Sequence, residues 1–187
     1  QVSPLAGMFD GSLDEVAIYD RVLSATEVAA HYAARTQIDP TTISAQVVDE
    51  SGNGRVGVLV GGPTLNVSGA LADGDTAITL DGSNDKITVA STALNLTAGP
   101  LSVVAWAKLG TGSADAGIAG TDYTNGFQIN WDGGTTVYFY IGAGANNANS
   151  ALSSAGWHLF VGTWDGTTAA GGIKLYIDGA LVDTGTA

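Results

Sequence analysis

The sequence predicts an all-β fold, a two-sheet antiparallel sandwich of the jelly-roll type, with one short helix near its N-terminal end. Three observations support this fold class. Many short segments alternate in hydropathy, turn-forming residues separate them, and one capped, alanine-rich run interrupts the pattern. The chain has 187 residues, 27 glycines and only 13% charged residues, which is typical of one folded domain rather than a disordered chain.

The central strand of the predicted sandwich is Leu101–Lys108. Both of its alternating faces are largely apolar, as expected for a strand that is covered on both sides. Turn-forming residues at 81–85 and at Asp178-Gly179 each join two predicted strands. The other predicted strands are Ser12–Tyr19, Ala77–Leu80, Lys86–Val89, Phe127–Trp131, Val137–Ile141, Trp157–Trp164, Ile173–Asp178 and Leu181–Thr184.

The predicted helix begins with a capping box at residues 24–27. The hydroxyl of Ser24 can accept a hydrogen bond from the backbone N–H of Glu27, and the Glu27 side chain can reach back to the backbone of Ser24. Good helix formers then continue to about Arg35. The predicted organisation is a strand and capped helix at 1–35, a linker at 36–42 and a β-rich domain at 43–187.

The charge balance excludes several classes of partner. Six Lys and Arg face 18 Asp and Glu, a net charge of −12, so no basic stripe is available to neutralise nucleic-acid phosphates. The longest apolar runs fall far short of the ~20 residues that span a bilayer, which predicts no membrane insertion. The chain has no cysteine, and disulfides and thiolate chemistry are therefore excluded.

Residues 9–28 read FDGSLDEVAIYDRVLSATEV. This run resembles the closing segment of a concanavalin A-like, laminin-G-like jelly roll, which usually ends with F-x-G-x-[IL]-D-E-V-x-I-Y-x-R-x-L-S-x-x-E. The resemblance implies the concanavalin A-like lectin/glucanase superfamily and a laminin-G-like jelly-roll domain. Runs that look like the opening of the fold lie at 49–54 and 80–85, and runs that look like its middle strands lie at 101–108, 157–166 and 174–179.

The family's closing segment comes first in this chain, and residues 43–187 lack the usual last strands. Three arrangements are open: a cut through a tandem array of repeats, a circular permutant that residues 1–35 complete, or strand exchange in which residues 1–35 complete a neighbouring molecule. A sandwich without its last strands exposes open edges that something must cover. The apolar side chains expected to make this contact are Leu13, Val16, Ile18 and Tyr19.

The resemblance also implies a structural calcium ion where the opening loop meets the closing strand. Calcium binds carboxylate and carbonyl oxygens. In the alternative interpretation, residues 49–54 form only a turn and the aspartate of the closing segment caps a strand end. The candidate ligands are Asp14 and Glu15 on the closing segment and Asp49, Ser51 and Asn53 in the loop.

Carbohydrate binding is the activity that the resemblance implies. A sugar site needs an aromatic platform beside amide and carboxylate groups, on loops or a concave face. The alternative is structural, because Trp106, Trp157 and Trp164 lie in strand patterns typical of a core and the Asn146-Asn147 pair is typical of a solvated turn. The candidates for sugar binding are Tyr123, Asn125, Trp131, Asp132, Tyr138, Tyr140, Asn146 and Asn147.

Catalysis is not expected. Glycoside hydrolysis needs two carboxyl groups about 5–10 Å apart, and related jelly-roll enzymes carry E-x-D-x-x-E on one strand. The chain has only Glu15, Glu27 and Glu50, none in that pattern. His31 and His158 are too widely separated in the sequence to suggest a zinc site or a catalytic triad.

These observations predict a non-catalytic module for recognition or adhesion that binds a glycan or another cell-surface ligand. The expected location is extracellular, on a cell surface or in a phage virion. The alternative is a structural subunit of a fibre or virion, in which residues 1–35 join copies of the chain or adjacent repeats. A binding module should keep Trp131 and Tyr138 exposed to solvent. A structural subunit should bury residues 1–35 against another chain, or against the same chain if it is permuted.

Overall fold

The computed structural model describes residues 8–34, 46–47, 49, 51, 53–71, 74, 76–89, 99–110, 115–121, 126–142, 146–152 and 155–187. Over these residues the chain forms strands and one helix, α1 (Ala25–Ala33). The strands are β1 (Asp10–Tyr19), β2 (Gln46–Val47), β3 (Gly57–Val60), β4 (Thr64–Ser68), β5 (Thr76–Asp81), β6 (Lys86–Thr88), β7 (Leu101–Leu109), β8 (Ala116–Gly120), β9 (Phe127–Trp131), β10 (Thr136–Ile141), β11 (Asn147–Ala151), β12 (Trp157–Trp164), β13 (Ile173–Ile177) and β14 (Ala180–Gly185).

The described strands form three antiparallel sheets around one main core. A seven-stranded sheet has the order β14-β13-β12-β7-β1-β5-β4. A four-stranded sheet, β11-β10-β9-β8, and a three-stranded sheet, β2-β3-β6, direct apolar side chains into the same core. The all-β jelly-roll sandwich with one short helix is confirmed. The described strands opposite the large sheet, however, belong to two separate sheets rather than one.

Strand β7 lies near the middle of the large sheet, between β12 and β1. The alternating side chains from Leu101 to Ala107 enter the main core, whereas Val104 and Trp106 enter a second apolar cluster on the opposite face. Every residue from 101 to 107 is buried. The prediction of a strand covered on both faces is therefore confirmed.

Strand β1 lies between β7 and β5 and pairs with both. Between Asp14 and Ala17 it advances three residues while β7 advances two, so the strand contains a β-bulge. Glu15, in this bulge, has a φ of 44°. Because the extra residue reverses the alternation, Leu13 and Ile18 both contact the main core although they are five residues apart.

Helix α1 covers the outer face of the large sheet. Its capping box is formed as predicted, with the Glu27 N–H donating to the Ser24 Oγ at 3.2 Å and the Ser24 N–H donating to Glu27 Oε2 at 2.8 Å. Val28 is fully buried, and the ring of Tyr32 stacks on Trp106 with centroids 5.7 Å apart. The helix ends at Ala33, and the predicted linker at 36–42 lies outside the described residues.

The hydropathy pattern missed five strands: β2, β3, β4, β8 and β11. Their sequences are short or rich in Gly, Ala, Ser and Asn, which have low strand propensity. Strand β11 includes Asn147, which the alternative interpretation placed in a solvated turn. These strands form because neighbouring strands supply hydrogen-bond partners and apolar contacts, which a single segment of sequence does not show.

Candidate functional site

The outward face of the four-stranded sheet carries amide and tyrosine side chains. In β9 and β10 the residues that point inward, such as Ile129 and Phe139, are fully buried in the main core. Strand alternation directs their neighbours to the opposite face. This amide–tyrosine face consists of Gln128, Asn130, Tyr138, Tyr140, Asn147 and Asn149.

Tyr138 and Tyr140 stack against each other on this face. Their ring centroids lie 5.2 Å apart and the ring planes differ by only 8°. Tyr140 is 8% exposed, whereas Tyr138 is only half-buried. The Tyr138 ring is therefore the more accessible of the two, and the Tyr140 ring stacks against it.

The strand register places each tyrosine beside a buried amide. Tyr138 pairs with Asn130, and Tyr140 pairs with Gln128. On the other side of β9, the partners of these two amides in β8 are Gly117 and Gly120, which have no side chains. The amides are thus flanked by aromatic rings on one side and by bare backbone on the other.

Gln128 and Asn130 are 2% and 3% exposed. Among the described residues, no donor forms a hydrogen bond with Gln128 Oε1 or with Asn130 Oδ1. A buried acceptor without a partner costs about 1–3 kcal/mol, so folded proteins rarely retain one without a reason. Two neighbouring examples lie on this one face of the sheet.

At the edge of the face, Asn147 and Asn149 form a hydrogen bond through their side chains, with Asn149 Nδ2 donating to Asn147 Oδ1 at 3.1 Å. The backbone N–H of Asn149 donates to Asp183 Oδ2 in β14 at 2.8 Å. This bond connects the edge of the four-stranded sheet to the edge of the large sheet. Asn149 is exposed and Asn147 is partly buried.

Asp132 closes the turn between β9 and β10. Its Oδ1 accepts hydrogen bonds from the backbone N–H groups of Gly134, Thr135 and Thr136 at 2.8–2.9 Å. Partial desolvation opposes ionisation, but these donated bonds outweigh it, and the pKa of the Asp132 carboxyl is lowered. The carboxylate therefore stabilises the hairpin that positions Tyr138.

Apart from Asp132, which closes the β9–β10 turn, the predicted sugar-binding residues lie in several different environments. Tyr138, Tyr140 and Asn147 share the amide–tyrosine face, while Asn146 precedes β11 and its carbonyl accepts a hydrogen bond from the Ile141 N–H. Trp131 does not belong with them, because it points into the main core and is 6% exposed. The expectation that Trp131 is an exposed platform is wrong, since its place in the β9 alternation directs it inward. Tyr123 and Asn125 lie outside the described residues.

The predicted calcium ligands have hydrogen-bond partners within the chain. Asp49 Oδ1 accepts from the Ser51 N–H and Asp49 Oδ2 from the Arg55 N–H. The hydrogen bond of the Ser51 hydroxyl, followed by these two backbone bonds, lowers the pKa of the Asp49 carboxyl. The Ser51 Oγ accepts from the side chain of Asn53.

On the closing segment, Asp14 is buried and accepts a hydrogen bond from the Ala70 N–H at 2.8 Å, while Glu15 is exposed in the bulge. No group of three or more His, Asp or Glu side chains within the described ranges could hold a metal ion. The calcium site stays a prediction.

The four predicted assembly residues have different environments in β1. Leu13 is buried, and Ile18 packs partly buried against the main core. Tyr19 packs against the outer cluster, and its hydroxyl lies 3.3 Å from His31 Nε2. Val16 projects from the bulge and is 46% exposed, so in this arrangement it contributes no core contact.

Three residues of the face were missed by the sequence analysis: Gln128, Asn130 and Asn149. The alternation in β9, Phe-Gln-Ile-Asn-Trp, contained the signal for two of them, because both amides occupy the positions opposite to the apolar ones. The two amides become candidates for ligand binding only because Tyr138 and Tyr140 lie beside them. That neighbourhood comes from strand pairing across the hairpin.

The strand order and the shared core define an antiparallel β-sandwich. The model of the concanavalin A-like lectin/glucanases superfamily matches residues 81–187, which is more than half of the chain. The chain belongs to this superfamily, and its fold supports a lectin-like or adhesion module at that level. No curated protein and no solved structure matches the chain significantly. No helix in the described residues is long and apolar enough to cross a membrane.

Proposed function

We propose that the protein is a non-catalytic carbohydrate-binding module whose ligand docks on the amide–tyrosine face. The proposed setting is extracellular, on a cell surface or in a virion. A lectin-like fold and a chain without cysteine are compatible with that setting.

One observation carries the proposal: the buried oxygens of Gln128 and Asn130 lack donors among the described residues. A sugar hydroxyl is a donor of the right kind, and it can replace the hydrogen bond that the folded chain does not supply. Tyr138 stands beside these acceptors and offers a ring face to the C–H surface of a sugar. Amide oxygens that accept from hydroxyl groups and a ring that packs on C–H groups together suit both kinds of surface that a saccharide presents.

Glu27 and Asp132 both lack the property that the acid of a glycosidase requires. A hydrolase needs a carboxylic acid with a raised pKa near neutral pH. Glu27 is the opposite case, because hydrogen bonds from Arg21 and Ser24 lower its pKa to about 2. Asp132 also has a lowered pKa, and its Oδ1 accepts hydrogen bonds from three backbone N–H groups.

The first experiment is a screen of the full chain against immobilised oligosaccharides, followed by calorimetry. We expect Tyr138→Ala and Asn130→Leu to weaken binding at least about tenfold, the loss of about 1.4 kcal/mol. Tyr19→Phe and Asn53→Ala, which alter a tyrosine and an amide elsewhere, are the matched controls and should bind as the unmodified chain does. Equal affinity of all four variants would contradict the proposed site.

Stability provides a second criterion for the same variants. If Asn130 were only a structural residue, its replacement would destabilise the fold. Because its buried Oδ1 has no donor in the described structure, we expect Asn130→Leu to leave the free energy of unfolding unchanged or to raise it by up to about 1–3 kcal/mol. Lost binding together with retained stability would identify Asn130 as a ligand-binding residue.

A structural subunit of a fibre or virion is the second candidate function. The observation that favours it is that β1 fills a gap between β7 and β5, with Leu13 in the main core and Leu23 and Val28 in the outer cluster. Residues 43–187 therefore leave a gap that a strand and helix of this pattern must fill. Whether each chain fills its own gap is tested by the cross-linking experiment in the Discussion.

A further inference from the structure

The amide–tyrosine face has a charge environment that restricts its ligands. We propose, on the basis of the function proposed above, that it binds uncharged, hydroxyl-rich saccharides and excludes glycans that carry carboxylate, sulfate or phosphate groups. This selectivity follows from the hydrogen-bond roles of the face, from the positions of the cations and from the positions of the carboxylates.

The hydrogen-bond roles on the face favour a donor. Two of the four buried polar atoms that lack a partner among the described residues, Gln128 Oε1 and Asn130 Oδ1, lie on this face, and both are acceptors. A sugar hydroxyl donates to such an oxygen, whereas an ionised carboxylate or sulfate has only acceptor atoms. An anionic group placed against these oxygens would bring together two sets of negative partial charges in a site that excludes water. Neutral hydroxyl groups meet no such repulsion.

The four-stranded sheet and its loops contain no basic residue. The sequence contains no lysine or arginine between Lys108 and Lys174, a stretch that includes β8, β9, β10, β11 and all the loops that join them. Recognition of carboxylate and phosphate groups generally uses Arg or Lys, because charge-assisted hydrogen bonds repay the desolvation of the anion. Neither residue type is present in this sheet or in its connections.

The remaining cations of the described chain are placed on other elements. Arg21 follows β1 and forms an ion pair with Glu27 at 2.8 Å. Lys108 belongs to β7 and Lys174 to β13, both in the large sheet, while Lys86 lies in β6 of the three-stranded sheet. Arg55 precedes β3.

A carboxylate lies at each end of the face. Asp132 closes the β9–β10 turn with a lowered pKa, so it is negatively charged at neutral pH. Asp183 accepts a hydrogen bond from the Asn149 N–H at the other edge. With a net charge of −12 on the whole chain, an approaching anion is repelled at long range as well as at the site.

The stacked tyrosines provide an attraction for a neutral sugar that does not depend on charge. The half-buried ring of Tyr138 can cover the C–H face of a pyranose without any contribution from charge. Binding that depends on stacking and on neutral hydrogen bonds is little affected by ionic strength, because salt screens only interactions between charges. Weak salt dependence is therefore a property of the proposed site.

The test compares matched pairs of oligosaccharides on the full chain: a neutral glucan or galactan, the corresponding uronate and the corresponding sulfated polymer, each at low and high salt. We expect the neutral member to bind at least tenfold more tightly than either anionic member, with less than a twofold change between the two salt concentrations. Asn149→Lys adds a cation at the exposed edge of the face. We expect it to raise the affinity for the anionic polymers at low salt.

The outcomes separate the two proposals. Tight, salt-sensitive binding of the anionic polymers by the unmodified chain, equal to or stronger than that of the neutral ones, would overturn the selectivity but retain carbohydrate binding. If no polymer of either kind binds, the proposed function itself fails and the selectivity fails with it. If neutral polymers bind equally well to Tyr138→Ala and Asn130→Leu, the selectivity does not belong to this face.

Discussion

Gly162 of β12 makes room for the ring of Phe139 of β10. A β-carbon on Gly162 would overlap the Cγ, Cδ2 and Cε2 atoms of that ring. Phe139 is fully buried in the main core, and its sequence neighbours are the two stacked tyrosines of the amide–tyrosine face. The contact between this glycine and this ring therefore sets how closely the four-stranded sheet packs on the large sheet.

We expect Gly162→Ala to destabilise the protein by about 1–3 kcal/mol, because the new methyl group must displace the Phe139 ring or the backbone of a packed core. Gly99→Ala is the matched control. A β-carbon at Gly99 meets no atom within 4 Å, so this variant should unfold within about 0.5 kcal/mol of the unmodified chain. Urea unfolding measures both. Equal stability of the two variants would contradict the close packing at Gly162.

Leu13 and Val16 provide a paired test of the bulge in β1. Leu13 is 7% exposed in the main core, and we expect Leu13→Ala to cost about 2–5 kcal/mol through lost burial and the cavity that remains. Val16 projects from the bulge, so Val16→Ala should change stability by no more than about 0.5 kcal/mol. Chemical denaturation compares them. A large loss at Val16 would mean that its side chain is covered by a contact other than the ones described.

A cross-link between β1 and β5 tests whether each chain fills its own gap. Ser12 and Thr79 are directly paired, and their hydroxyl oxygens lie 2.8 Å apart. Opposite residues of antiparallel strands have Cα atoms about 4.5–5.5 Å apart, which is within the range that a disulfide spans, and the chain has no native cysteine. We expect the variant with both Ser12→Cys and Thr79→Cys to oxidise to a monomer that migrates faster on a non-reducing gel.

Mixtures of the two single variants, Ser12→Cys and Thr79→Cys, are the control for exchange between molecules. Only a strand that enters a neighbouring chain can link them into a mixed dimer, and the double variant would then form a ladder of oligomers. That result would contradict an intramolecular strand and support the structural-subunit function.

The capping box of α1 should make stability depend on pH in acid. Hydrogen bonds from Arg21 and Ser24 lower the pKa of Glu27 from 4.5 to about 2 in the folded protein. The charged form is thus favoured by folding, so its contribution is fully present above about pH 4.5 and is lost as the pH falls towards 2. Melting temperatures between pH 6 and 2 should therefore fall less steeply in Glu27→Gln than in the unmodified chain.

Two further variants identify the source of this pH dependence. Arg21→Gln should reduce the same acid-dependent loss, because Arg21 is the main cause of the lowered pKa. Ser24→Ala should also lower stability by about 1 kcal/mol near neutral pH, since the hydroxyl that accepts the Glu27 N–H is removed. Identical pH profiles for Glu27→Gln and the unmodified chain would contradict the role of the carboxylate.

Local sequence patterns were sufficient to predict the helix cap and the most apolar strand. The Ser24 and Glu27 capping box was predicted from spacing alone, because both of its hydrogen bonds lie within one helical turn. The two apolar faces of Leu101–Lys108 indicated a strand covered on both sides. The run at 9–28 resembled the closing segment of the superfamily whose model matches residues 81–187. In each case the signal lies within one continuous segment of the sequence.

Tertiary structure decided which side chains are neighbours and which face of a sheet each one occupies. Trp131 was expected to be an exposed platform, but the register of β9 directs it into the core and brings Asn130 to the outer face beside Tyr138. The bulge at Glu15, which places Leu13 and Ile18 in one core, has no signature in the hydropathy pattern. Both results depend on pairing between strands, whose energy comes from contacts distant in sequence, and a pattern confined to one segment does not contain that information.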